Sequence, residues 1–399
     1  MTVFVRYASV LRGHGTAVPL TASIVGRLSL GMTSLGLLLL VRDTSGSYAV
    51  AGLVSGAYAL SFGVLGPALA RLADRTGPVP ALRITAALHP ALLCVVVVAA
   101  TTGQPLLVLL PPTVLAGATV PPLGPVMRAL WASALRGPAL ATAYSLESVV
   151  VELCFVLGPL LVAALTVALD PAAPVLASGA LAGVGGLWLS LTARVRAVRP
   201  HDERHGSRFG PLSSPAVRAL LLTVAGVGAT FGAVEVAVPA FVEEQGARAS
   251  SAGVLLAVWS AGSVVGGLVY GGLDLRAPHR SQLPVLTTAL TVGTALPLLA
   301  TGTTTLGLAL FVFGLTIAPF SACNSVLLGR AAPTGTVTEA FAWNTSMIFG
   351  GAALASGVSG VLVERSGPTA ALVITAAAGL LSLGASAAAW WRSREPVAA

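Results

Sequence analysis

The sequence predicts an all-helical membrane protein, with twelve transmembrane helices arranged as two six-helix halves related by a pseudo-two-fold axis. Three observations point there. Of 399 residues, 55% are hydrophobic and 9% charged, too few charges to cover a soluble surface of that length. Charge-free intervals recur at membrane-crossing length, about 20 residues each. A single long polar segment, RVRAVRPHDERHGSRFGPLSSP (194–215), falls midway along the chain.

The spans follow from the intervals. Thr44–Ala70, Pro171–Ala193, Ala249–Leu273, Ala340–Val363 and Ser366–Trp391 hold one span each. Ile84–Met127 runs 44 residues without a charge and holds two, broken near TTGQP; Ser281–Gly329 runs 49 and holds two, broken near TGTTT. The first span (about 17–41) contains Arg27, the fifth (about 140–169) Glu147 and Glu152, and the seventh (about 216–241) Glu235. Span 4 carries Pro111, Pro112, Pro121, Pro122 and Pro125 and is expected to kink. The expected domains are 1–193, a linker 194–214, and 215–399.

All 22 basic residues are Arg. With a cytoplasmic N-terminus, eighteen fall on the cytoplasmic side and three (Arg42, Arg248, Arg365) outside, which orients the chain with both termini in the cytoplasm. The pI of about 10.4 is then a topological signature, and nucleic acid is not an expected partner. Cys94, Cys154 and Cys323 lie in separate apolar runs, which argues against disulfides and a thiolate metal site. No cleavable signal peptide is evident. The Arg-only, Ala/Gly/Pro-rich usage suggests a GC-rich bacterium and hence its plasma membrane.

The halves resemble each other. Ala51-Gly52 and Tyr58 correspond to Ala252-Gly253 and Trp259 at an offset of 201; ATAYSLES (141–148) corresponds to TEAFAWNT (338–345) at 197. Parallel six-span repeats place a binding site near the midplane between halves.

After span 2, ARLADRTGPVPALR (70–83) resembles the loop 2–3 signature of the major facilitator superfamily, G-x-L-A-D-R-x-G. Leu72-Ala73-Asp74-Arg75 and Gly77 match, Ala70 replaces the first Gly, and GGLDLRAPHR (271–280) is a degraded second copy. The resemblance implies that Asp74, Arg75 and Gly77 form a cytoplasmic latch released during alternating access. LGPLL (157–161) in span 5 is similar to the end of the antiporter motif of drug/proton antiporters, with Gly158 and Pro159 as a bending point. It lacks that motif's preceding glycines, and the family's basic residue early in span 4 is also missing. The span-1 acid of many such antiporters is replaced by Arg27.

Acids at membrane depth are costly and usually face a cavity or a partner. Glu152, Glu235 and Glu147 are therefore the proton-coupling candidates, with Arg27 and Arg128 as charge partners. Glu147 and Glu152, five residues apart, point to different helix faces and are not a proton-sharing dyad. Glu339 reads as a helix-start charge. Tyr58, Phe231, Trp259, Asn324 and Asn344 are the cavity candidates; His89 reads as packed. No Walker loop, H-E-x-x-H or G-x-S-x-G elbow is present, so no enzyme activity, cofactor or metal is expected, and a proton gradient is the expected energy source. The expected partners are a small-molecule substrate, protons and the bilayer, with the chain as a monomer. The expected function is proton-coupled efflux of small, drug-like organic molecules. The alternative is an uptake symporter or facilitator for sugars or metabolites. An embedded enzyme would need clustered His, Asp or Ser, and a channel a filter segment; neither is evident.

Overall fold

The computed structural model describes residues 16–135, 137–197, 210–272, 278–333 and 336–392. Among these, twelve helices are long and apolar enough to cross a membrane. Helix is the expected solution, because each backbone N–H and C=O must find its partner within the segment.

Span 1 is Ala17–Ser45, span 2 Tyr48–Thr76, span 3 Pro78–Thr101, span 5 Gly137–Ala168 and span 6 Ala173–Leu191. Span 7 is Pro215–Glu244, span 8 Ala252–Gly272, span 11 Val337–Ser366 and span 12 Pro368–Arg392. Three spans are interrupted. Span 4 is two helices, Leu106–Ala118 and Leu123–Ala134, parted at Pro121-Pro122, where two successive residues lack an N–H to continue the ladder. Span 9 runs His279–Ala295 into a 3₁₀ turn, Leu296–Leu299, and span 10 is Thr303–Gly314 followed by Ile317–Ala331. The breaks between spans 3 and 4 and between spans 9 and 10 fall at TTGQP and TGTTT, as expected. Pro159 lies inside span 5 without ending the helix.

The two faces of the bundle can be named from the chain. The linker face is where spans 1 and 7 begin and span 6 ends; the far face is the other. The 194–215 segment starts with a short helix, Ala193–Arg196, and ends in a 3₁₀ turn, Gly210–Ser213, beside Glu339 of span 11. Residues 273–277 of the second loop copy lie outside the described residues, as do the side chains of Asp74 and Arg75; the backbone there is helical to Thr76 and turns at Gly77 (φ 87°).

Small residues let the helices meet backbone to backbone, the packing that replaces hydrophobic drive inside lipid. Span 1 lies between spans 5 and 6: a Cβ on Gly158 would sit 2.6 Å from Gly31 Cα, and a Cβ on Gly26 would press on Gly185 at 3.3 Å. The two halves meet along span 2 on span 11 and span 5 on span 8. A Cβ on Gly52 would lie 2.5 Å from the Ser356 carbonyl, and one on Gly56 2.8 Å from that of Ala353. Ser55 and Ser356 hydroxyls bond at 3.1 Å, and Ser346 Oγ donates to Gly63 O at 2.5 Å. Gly253 of span 8 packs on Pro159 and Ala163 of span 5.

The far face is tied across the halves by charge. Arg42 of span 1 reaches Glu243 of span 7 at 3.0 Å and lies over the Tyr48 ring at 4.8 Å. Glu364 of span 11 accepts from the Ser47 hydroxyl and from Ala49 N–H at 3.2 Å, capping the start of span 2 from the opposite half.

Candidate functional site: acids at the seam between halves

The three acids at membrane depth have different surroundings. Glu147 is buried. Its Oε2 pairs with Arg27 Nη2 at 2.5 Å and its Oε1 accepts from Trp131 Nε1 at 3.0 Å. The break in span 4 contributes here, because Leu123–Ala134 carries both Trp131 and Gly124 two turns apart, and Gly124 leaves room for the guanidinium (3.4 Å to Arg27 Nη2). Arg27 is 3% exposed, and its Nη1 has no hydrogen-bond partner among the described residues. Arg128, the other expected charge partner, is exposed and belongs to neither of the ion pairs found among the described residues.

Glu152 turns away from that pair. On span 5, Cys154 and Gly158 pack against Gly31 of span 1, while Pro159 packs against Gly253 of span 8. Val149, Leu153, Leu157 and Leu160 form the exposed apolar stripe suited to lipid. Glu152 lies on the span-8 side and faces Ser263. At about 1.5 Å per residue it sits near mid-depth, some 22 Å from the start of its helix. Glu235 lies nearer the far face. It is half-buried between fully buried neighbours on span 7 and faces Ser34 of span 1. Each acid therefore belongs to one half and looks at a serine of the other. Among the described residues neither has a cationic partner within ion-pair distance.

Aromatic side chains lie on the helices that carry Glu235 and Ser263. Phe231, one turn before Glu235, meets Trp259 edge-on at 5.3 Å, and Trp259 continues to Phe313 at 5.5 Å. Trp259 lies one turn before Ser263, the residue Glu152 faces. Trp259 Nε1 is shielded and has no hydrogen-bond partner among the described residues. Phe155, 37% exposed, lies opposite the lipid stripe of span 5, between the residues that touch span 1 and those that touch span 8. Sequence reading missed it. The signal available was its position, about 160° around the helix from the Val149–Leu160 stripe.

Tyr58, Asn324 and Asn344 have other neighbours. Tyr58 is buried in the first half, 6.2 Å from His89, whose Nδ1 meets Ala116 O at 2.9 Å. Asn324 Nδ2 donates to Asn344 Oδ1 at 3.2 Å, joining spans 10 and 11 closer to the linker face. Asn324 Oδ1 is left without a partner among the described residues.

This architecture matches known proteins. The family model described as Major Facilitator Superfamily matches residues 20–333 and 220–399. The chain belongs to the major facilitator superfamily. It is thereby a membrane transporter of the secondary type, not an enzyme, and its two six-helix halves are those of that fold. None of the curated proteins searched matches it. Solved structures similar to it include the nucleoside transporter NupG (TM-score 0.70, 15% identity, covering 95% of this chain and 100% of that one). A peptide-bound POT family transporter is also similar (0.72, 10%, 92% and 94%). So is a bacterial homologue of the iron transporter ferroportin in an inward-facing state (0.67, 15%, 97% and 100%). At these identities the likeness is one of fold.

Proposed function

We propose that this major facilitator protein exports a small organic molecule in exchange for protons, using Glu152 and Glu235. One observation carries the reading: two carboxyls at membrane depth lie on the seam between the halves, and among the described residues no cation neutralises them. Burying an unpaired carboxylate in low dielectric favours its neutral form, so proton uptake stabilises a closed seam and ionisation favours a hydrated one. Alternating access rearranges the contacts that each acid makes with the opposite half, so protonation and conformation are linked.

Glu147 takes a structural part in this scheme, its charge being spent on Arg27. The linker face is the cytoplasmic one, following the Arg distribution, in the plasma membrane of a bacterium. The closed far face, with its Arg42–Glu243 and Glu364–Ser47 ties, is then the external gate, and Asp74, Arg75 and Gly77 form the latch on the opposite side.

The test uses everted vesicles energised with a proton gradient and a pH-sensitive dye. A transported compound collapses the gradient in the parent; Glu152→Gln or Glu235→Gln abolishes the collapse at equal protein level. Saturable counterflow that is the same in parent and both variants, without gradient collapse, would make the protein a facilitator.

A further inference from the structure

We infer that an anionic phospholipid binds at the linker face of the first half, its phosphate held by Arg83, Arg194 and Arg196 and its acyl chains laid along the outward stripes of spans 3 and 6. Binding of this lipid needs neither proton exchange nor a particular transported compound, so it stands apart from the proposed function.

One buried valine brings the three arginines together. After span 6 ends at Leu191, the chain turns at Thr192 (ψ 135°) into the short helix Ala193–Arg196, which packs against spans 3, 4 and 6. Val195 is buried in the core cluster that also holds Leu82 of span 3, Leu130 of span 4 and Leu189 of span 6. Arg194 and Arg196 lie about 100° around the helix on either side of it and are exposed, as is Arg83, the residue after Leu82. Arg196 Nε donates to Ser190 O at 3.4 Å, which holds its guanidinium against the end of span 6. The ion pairs found among the described residues are Arg27–Glu147 and Arg42–Glu243, so within that set no carboxylate neutralises these three arginines.

The surface beside them selects a lipid. Span 6 lies directly on span 3 here: a Cβ on Gly183 would stand 2.9 Å from the Ala86 carbonyl. Arg83 adjoins the exposed Ile84 and Leu88 of span 3, and Arg194 follows the exposed Leu187 and Leu191 of span 6. Apolar surface therefore runs from the guanidinium groups into the membrane. Trp188, 39% exposed, stands one turn from the end of span 6, at the depth where an indole bridges headgroups and chains. Arg83 lies about 8 Å into its helix, close enough for its long side chain to extend to the headgroup layer. Guanidinium groups bind phosphate oxygens bidentately. A zwitterionic lipid brings an ammonium that the arginines repel, whereas a phosphatidylglycerol-type lipid brings negative charge alone. Free phosphate would meet the charges and gain nothing from the apolar stripes.

The experiment is native mass spectrometry of the full chain in a neutral detergent, with no substrate and no gradient. Dioleoylphosphatidylglycerol is titrated in, then competed with dioleoylphosphatidylcholine or with inorganic phosphate. A single saturable phosphatidylglycerol site is expected, resistant to the zwitterionic lipid and to millimolar phosphate. Arg83→Gln should weaken retention about fivefold, and Arg194→Gln combined with Arg196→Gln about tenfold or more. Arg218→Gln, at an exposed position at the start of span 7, should hold it within about twofold. A parent-like melting temperature of every variant without added lipid guards against misfolding. Equal retention of the two lipids, displacement by phosphate, or parent-like retention in both Arg83→Gln and the double variant overturns the assignment. Arg218→Gln weakening retention as much as Arg83→Gln also overturns it, because the attraction is then to the positive surface as a whole.

Discussion

Replacing Glu147 by Gln removes one charge from a pair that is almost wholly out of solvent. Arg27 is 3% exposed and one of its terminal nitrogens already lacks a hydrogen-bond partner among the described residues, so no local acceptor stands ready to take over. An uncompensated charge of this kind costs about 3–5 kcal/mol. At a few degrees per kcal/mol, the melting temperature in detergent should fall by on the order of 10 °C. The single variant Arg27→Met should fall similarly, because it strands the carboxylate and leaves it only the Trp131 N–H. The double variant Arg27→Met with Glu147→Met should recover most of the loss, since replacing both partners by apolar groups is often close to neutral. The measurement is a double-mutant cycle by thermal unfolding, run alongside proton exchange in vesicles. Recovery of both stability and exchange in the double variant identifies the pair as a structural tie of spans 1, 4 and 5. A stable double variant that exchanges no protons would refute the reasoning and return Glu147 to the coupling machinery.

The remaining predictions concern the seam and its gate. Gly56→Leu should disrupt the span 2–span 11 contact, since even a Cβ would stand 2.8 Å from the Ala353 carbonyl; loss of transport with retained membrane insertion is expected, and parent-like transport would show that this contact yields. Arg42→Ala should cost about 1 kcal/mol or less, because the pair with Glu243 is about 30% exposed, and it should loosen the far face. Spin labels at Ser45 and Gln245, in a background without native cysteines, should then report a longer-distance population; an unchanged distribution removes the pair from the gate. Phe155→Ala should reduce transport with only a small drop in melting temperature, since the side chain is already 37% exposed; a large drop in melting temperature would make it a packing residue.

Much of the fold was legible because lipid imposes a simple rule: charge-free length marks a helix, and the interruptions at TTGQP and TGTTT mark turns. Span ends were less legible. Span 1 continues past Val41 to Ser45 because Arg42, which reads as the end of an apolar run, is accommodated by Glu243. Pro159, read as a bending point, sits inside a helix that continues through it, and its neighbour Gly158 serves a close approach to Gly31. Tyr58 and Trp259, equivalent in the internal repeat, end up in different surroundings: the first is buried beside His89, the second lies on the seam. Repeat position fixes the helix a residue belongs to, and the packing of its neighbours decides which way it faces.

The two glutamates of span 5 show how far one helix can divide its labour. Five residues put Glu147 and Glu152 about 140° apart, so the same rigid rod presents one acid to the interior of its own half and the other to the opposite half. The interior acid meets an arginine and a tryptophan N–H, partners that move with it as the half rotates. The seam acid meets Ser263 of span 8, a neutral partner on the other body. A charge neutralised within its own half is insensitive to alternating access. A carboxyl whose partner lies across the seam changes surroundings with each rotation, and its proton affinity changes with them. Under the proposed exchange the coupling role falls to the acid that lacks a cation, while the buried pair ties spans 1, 4 and 5 together.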